Sequence, residues 1–463
     1  MRGVWFAGLV ALGHLAGCSG SDDAAAPKAD AATDAGLDST AADAGSDGAG
    51  GSSADSALPD AAAEAGAPIV LLPRTSILAE ELGVLVNKSD PQSVAVAAEY
   101  VKARGIPAAN VVELDFAPVA NLPAASFATL KEQVDAAMSP SVQGLAVTWT
   151  QPYRVDCMSV TSAFALGFDK KYCNQTGGSC GPTATVATFN SESVAPYTDH
   201  GVRPTIMLAG SNTQAVSDLI KRGVAADDTF PSGDGYLVRT TDTARSVRWP
   251  TFQPTIGDWD HPGGLTLNYV DNSDGSGSNS IDNKTNLLFY FTGLAKVPNI
   301  DTNSYRPGAI ADHLTSVGGQ VPTSGQMSVV AWLEAGVTGS YGTVVEPCNY
   351  TEKFPNVRVL LPHYFRGETL LEAYWKSVAR PGEGLFVGEP LARPWGATTV
   401  DFDGTTLTLR TTWLLPGVQY AVESAPAESG PFTPVQSVQI NAYERADIVV
   451  PNATAAVYRL VKQ

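Results

Sequence analysis

From residue 82 onward, apolar and polar positions follow two alternating rhythms. Short continuous apolar runs, such as LGVLVN at 82–87, give way to stretches with apolar residues three and four apart, such as QSVAVAAEYVKAR at 92–104. The first rhythm predicts buried strands and the second predicts helices. Asp90 is placed to cap the helix that follows it, Pro91 occupies its first turn, and Gly105 suits its end. The pattern repeats. IPAANVVELDF (106–116) and GLAVTWTQPYRV (144–155) predict strands, with a helix over 125–138 between them. TIMLAG (205–210) predicts a strand. It leads to Asn212, a good cap, and to a helix with Gly223 behind it. YLVRTTD, LTLNYVD and NLLFYFTG supply three more strands, and 325–336 and 368–379 read as helices. VTGSYGTVV and GLFVGEPLARP extend after those two.

Alternation of this kind predicts an α/β domain over 68–397 with a mainly parallel central sheet. Near Thr398 the rhythm changes. TVDFDGTTLTLRTTW, QYAVESA, VQSVQI and AVYRLV are short strands separated by turn residues, with no helix pattern. Residues 398–463 therefore predict a small all-β sandwich, near the lower size limit for independent folding.

Before residue 68 neither rhythm is present. Arg2 precedes an apolar stretch, WFAGLVALGHLAG, that is too short to be a good membrane span. It ends in Leu15-Ala16-Gly17-Cys18, which resembles the lipobox of bacterial lipoproteins. That resemblance implies a signal peptide over 1–18 and lipidation of Cys18. The competing reading is an ordinary signal peptide with an incidental cysteine. Residues 19–67 are Ala, Asp, Ser and Gly with almost no large side chain. Such a segment buries too little apolar area to offset its ordering entropy, so it reads as a disordered tether. The localisation expected is an exported, lipid-anchored protein at the outer membrane or cell surface. Its partners would be the membrane, through that lipid, and an extracellular or periplasmic ligand that the sequence does not identify.

Charge changes this picture little. The 463-residue chain carries a formal charge of −18 and is 44% apolar. Residues 19–67 hold ten acidic residues and one lysine, a net of −9, which is half the imbalance. The remainder is mildly acidic and has no basic patch, which argues against a nucleic-acid partner.

Four cysteines remain beside Cys18: Cys157, Cys173, Cys180 and Cys348. An even number in an exported chain favours disulfides. Cys173 and Cys180 flank a flexible NQTGGS loop that local closure would bridge, which leaves Cys157 and Cys348 as a pair. Zinc is the weaker alternative, since no CxxC spacing occurs.

Cys348 has a second reading. It follows the apolar run GTVV, and a cysteine nucleophile needs a base, usually histidine, to form thiolate. His313 is the candidate base, with Asp312 or Glu346 to orient it. Neighbours on a chain point in different directions, so Asp312 need not touch His313. The plainer reading makes ADHLTS a capping turn or the polar start of a helix, and Cys348 a bridged residue. A third constellation is GDWDHPGG, where Asp258, Asp260 and His261 offer carboxylate and imidazole ligands to a divalent cation. In an extended segment Asp258 and Asp260 would share a face. Asp271 and Asp274 add oxygen ligands nearby. The plainer reading here is a solvated Gly/Ser loop. No phosphate loop and no GxSxG elbow occur.

Four segments carry a broader likeness: NKSDPQSVAVAAEYVKARGIPAANVVELD, RPGAIADHLTSVGG, LEAGVTGSYGTVVEPCNY and HYFRGETLLEAYWKSVARPGEGLFVGEPLARP. They resemble a conserved, uncharacterised family of exported bacterial proteins, which implies a shared fold but no particular activity. The order of elements, ending in a strand with VGEP, is similar to the caspase-like, three-layer domain of gingipain-type cysteine peptidases. That resemblance implies a catalytic histidine after one strand and a catalytic cysteine after the next. LTLNYVD and NLLFYFTG are the matching strands. NSDGSGSNS follows the first without a histidine, and LAKV follows the second without a cysteine. The sequence thus leads to a non-peptidase binding or scaffold protein on a caspase-like fold. An exported cysteine hydrolase using Cys348 and His313, and a metal-dependent hydrolase, stand as alternatives.

Overall fold

The side chain of Asp90 accepts a hydrogen bond from the Gln92 backbone N–H, and helix α1 (Pro91–Arg104) begins there. It ends at Gly105, which is left-handed with φ 66°. This is a computed structural model, and it describes residues 66–174, 181–259 and 264–463. Strand β1 (Leu82–Asn87) precedes α1 and is buried throughout. After α1 come β2 (Val111–Leu114), helix α2 (Ala124–Ala137), β3 (Gly144–Val147) and β4 (Thr205–Met207). Helix α3 (Thr213–Val224) starts at Asn212, whose side chain accepts from the Ala215 N–H. Gly223 does not stop this helix but lies within its last turn. A Cβ there would sit 2.3 Å from Cγ of Glu389, so the glycine permits close packing.

The second half repeats the plan with β5 (Gly233–Arg239), β6 (Leu265–Asp271), β7 (Leu287–Gly293) and β8 (Tyr305–Leu314). It closes with β9 (Gly339–Thr343), helices α4 (Val357–Phe365) and α5 (Leu370–Ser377), and β10 (Gly384–Gly388). These strands form one ten-stranded mixed sheet, in the order β6-β5-β7-β8-β9-β10-β4-β3-β1-β2. The two flanking blocks, β2-β1-β3-β4 and β6-β5-β7-β8, have the same internal order. In each, the chain lays its second strand outside the first and then crosses to the other side. The ladders within both blocks run parallel, and β9 pairs antiparallel with β10. Gln151, just beyond β3, donates to the carbonyl of Val321, just beyond β8. The carboxyl ends of both blocks therefore meet at one edge of the sheet.

Two segments depart from expectation. ADHLTS is not a capping turn: its first four residues end β8, one of the central strands. Only Val330–Glu334 of the helix expected over 325–336 forms. Ser324 and Ser328 accept from the N–H groups of Gln326 and Val330, and such side-chain bonds compete with helical ones.

From Thr399 the chain forms two facing small sheets. One pairs Thr399–Phe402, Leu407–Thr411 and Ala446–Val450. The other contains Tyr420–Ala425, Thr433–Val438 and Val457–Lys462. Ile69–Leu71 adds itself to this second sheet, in parallel with Val457–Arg459. The boundary drawn at residue 398 is thus crossed by a strand from the start of the described chain. Leu409, Tyr420, Val422, Ile448 and Leu460 are buried in the sandwich core. Tyr443 ties the sandwich to the α/β layers by stacking on Trp259, with ring centroids 5.0 Å apart.

Candidate functional site

In open α/β sheets, ligands bind outside the carboxyl ends of strands, where the strand order reverses. At the carboxyl ends of strands in the second block and of β9 lies a cleft of about 180 Å³. Three turns line it: Ala244 and Arg245 after β5, Leu314 to Ser316 at the end of β8, and Glu346 to Asn349 after β9. Asp242 holds the first turn. Its carboxylate accepts from the Arg245 backbone N–H at 3.1 Å and from Nη1 at 2.9 Å. Gly293, at the end of β7, lets this turn come close, since a Cβ there would lie 1.9 Å from the Arg245 carbonyl oxygen. The Thr315 hydroxyl accepts from Arg245 Nε at 3.3 Å and donates to Gln326 Oε1 at 2.6 Å. Thr343 ties β9 to the same turn by donating to the Ser316 carbonyl at 3.0 Å. In the third turn, Glu346 Oε1 accepts from the Cys348 N–H at 2.8 Å, and Cys348 has φ 55°.

A second, more apolar cleft has a volume of about 220 Å³. Phe189, Val247, Pro250, Phe354 and Pro355 line it. Arg248 also lines it and reaches inward to pair with Asp312 at 2.6 Å, both side chains being buried.

The residues singled out from sequence are distributed as follows. Cys348 lines the first cleft, and its sulfur is disulfide-bonded. While that bond stands it has no thiolate to offer. Cys173 is bonded to Cys157, with Cα atoms 5.6 Å apart. This replaces both expected pairings, the local closure of Cys173 on Cys180 and the pair Cys157–Cys348. Cys180 itself lies outside the described residues. Asp312 and His313 are neighbours on β8 and serve different partners. Asp312 faces Arg248, and burial raises its pKa against the opposing pull of that guanidinium. His313 accepts at Nδ1 from Trp332 Nε1 at 3.0 Å. Burial, with the Arg248 charge adding to it, pushes its imidazole down to about 3. Asp312 does not orient His313, and His313 is not among the residues lining the cleft.

Asp258 follows the short helix Phe252–Gly257 and has helical, not extended, backbone angles. Its carboxylate is forked by Arg358, at 2.7 and 3.3 Å. Asp260 and His261 lie outside the described residues, as do Cys18, the signal peptide and residues 19–65. Among the described residues no group of three or more His, Cys, Asp or Glu is placed to hold a metal ion. Asp271 accepts from the Ser273 N–H and from Arg239, and Asp274 from the Ser276 N–H, so each is engaged locally.

Sequence reasoning missed Arg245, Thr315 and Ser316. The available signal was their position just past strand ends, hidden for Thr315 and Ser316 because β8 was not read as a strand. The VGEP turn is a staple: Glu389 is buried and forks Arg104 of α1.

No family model matches this sequence, and no curated protein matches it. Among solved structures, one described as "Structure of Protease" aligns with 82% of this chain and 97% of its own, at 10% identity and a TM-score of 0.40. Likeness at that level carries no argument about activity.

Proposed function

We propose that this chain is an exported, lipid-anchored surface protein whose α/β domain has a caspase-like organisation and binds a ligand without cleaving peptides. The observation that carries the reading is the state of the carboxyl-edge cleft. Its cysteine is disulfide-bonded, and the histidine of the neighbouring strand is buried against Trp332. Thiol catalysis needs a thiolate and a base in hydrogen-bond reach. The strand order supports the same reading. The segments after β6, β7 and β8 begin NSDG, LAKV and TSVG, and none supplies the histidine or cysteine that the gingipain-type arrangement requires. A binding role uses what the cleft does present: a guanidinium from Arg245, a carboxylate from Glu346, and the hydroxyls of Thr315 and Ser316.

Export and anchoring rest on the lipobox at Cys18. Among the described residues no helix is long and apolar enough to cross a membrane. The decisive experiment expresses wild type and Cys18→Ala in a bacterial host with radiolabelled fatty acid, and assays both against a broad peptide library. Label on wild type alone, with no peptide turnover by either, is the expected result. Turnover abolished by Cys348→Ala in a folded protein overturns the binding reading.

A further inference from the structure

A cleft outside the carboxyl edge lies between the α/β layers and the sandwich, with a volume of about 460 Å³. That is within the range of roughly 300–1,000 Å³ found for small-molecule sites, which favour such boundaries. Its lining has two chemical faces. Leu415, Pro416, Val418 and Pro362 make an apolar wall, continued by the ring of Tyr443. Asp258, Arg358 and Asn441 provide hydrogen-bonding groups.

Charge narrows the ligand class. Among the described residues, Asp258 and Arg358 are the charged ones in this lining, and they neutralise each other through a two-pronged contact. Burial raises the pKa of the Tyr443 phenol, so it stays protonated and neutral. A carboxylate or phosphate would have to displace Asp258 from Arg358, and an ammonium would have to displace Arg358 from Asp258. A neutral ligand need displace neither. The pair is also half in solvent, with side-chain exposures of 35% and 55%, so atoms of both groups stay accessible.

The shape of the chemistry matches a sugar. A pyranose has one apolar C–H face and a rim of hydroxyls, each both donor and acceptor. The apolar wall and the Tyr443 ring suit the face. A carboxylate that only accepts, a guanidinium that only donates and an amide that does both suit the rim. The aromatic element is also held rigidly. Tyr443 stacks on Trp259 with a 30° interplanar angle, and the two residues form a backbone bridge. A preorganised aromatic surface loses little freedom on binding.

We propose that this cleft is a binding site for a neutral saccharide, independent of the carboxyl-edge cleft. The test titrates the full chain with maltose, cellobiose and N,N′-diacetylchitobiose, followed by saturation-transfer NMR and calorimetry. Binding of at least one disaccharide is expected, weakened about tenfold or more in Tyr443→Ala, a loss of roughly one aromatic contact. Arg358→Gln, at an exposed position, is the second variant and is expected to weaken binding without unfolding the protein. Absence of binding by all three sugars overturns the proposal. So does binding that is unchanged in Arg358→Gln and in a folded Tyr443→Ala.

Discussion

Arg104 and Glu389 are 285 residues apart in sequence and meet as a two-pronged ion pair, Nε to Oε1 at 2.8 Å and Nη2 to Oε2 at 2.5 Å. Arg104 ends the first long helix and Glu389 follows the last strand of the sheet. Both side chains are buried, and Asp227 meets the remaining prong of the guanidinium. Removing Glu389 takes away two of the contacts of the buried Arg104 guanidinium and leaves it with Asp227. Glu389→Ala is therefore expected to cost about 3–5 kcal/mol of stability. Urea denaturation measures this, and an unchanged midpoint would show that the pair is not a staple.

Gly293 supports the turn that carries Arg245. Alanine at 293 collides with backbone, which cannot rotate away as a side chain can. Gly293→Ala is expected to destabilise by about 1–3 kcal/mol, typical of overpacking. It should also perturb the amide signals of Asp242 to Ser246 in an NMR spectrum. Wild-type stability with an unshifted spectrum would refute the close approach.

Glu372 is buried on α5. Its Oε2 accepts from the N–H groups of Ile77 and Thr369 and from the Thr369 hydroxyl. Burial pushes its pKa up to about 7 despite nearby Lys376. A carboxyl raised in the folded state keeps its proton longer than the unfolded chain does. Its contribution is complete below the unfolded value of about 4.3 and is lost as pH climbs through about 7. Relative to Glu372→Gln, wild type is expected to lose stability between those limits. Parallel stability curves for the two proteins would contradict this.

His313 provides a spectroscopic test of the cleft. With its imidazole pushed down to about 3, its ring protons are expected to show no titration between pH 5 and 8. An ordinary titration near 6.5 would mean that the ring reaches solvent, and the cysteine–histidine pairing would need reconsideration.

The cysteines give a chemical test. Alkylation of the native protein without reductant is expected to leave Cys348 unlabelled, and labelling is expected after reduction. Non-reducing peptide maps are expected to join Cys157 to Cys173. Rapid labelling of Cys348 in the unreduced native protein would restore the nucleophile.

The chain by itself determined what depends on near neighbours. Helix α1 begins at Asp90 and ends at Gly105, because a cap is a hydrogen bond spanning two or three residues and a left-handed stop is a single residue's backbone. The α/β alternation and the late all-β texture were legible for the same reason: burial of one face leaves a period in the residues that make it. Tertiary structure alone decided the rest. β8 carries Pro307, Gly308, Asp312 and His313, a poor strand on local grounds. Asp312 pairs with Arg248, 64 residues earlier, and His313 accepts from Trp332, on a helix after the strand. The pairing of Cys157 with Cys173 and the place of Ile69–Leu71 in the distant sandwich depend likewise on where the chain returns in space. The carboxyl-edge cleft belongs to this class. Arg245, Thr315 and Glu346 are ordinary turn residues until strand order sets their three turns side by side.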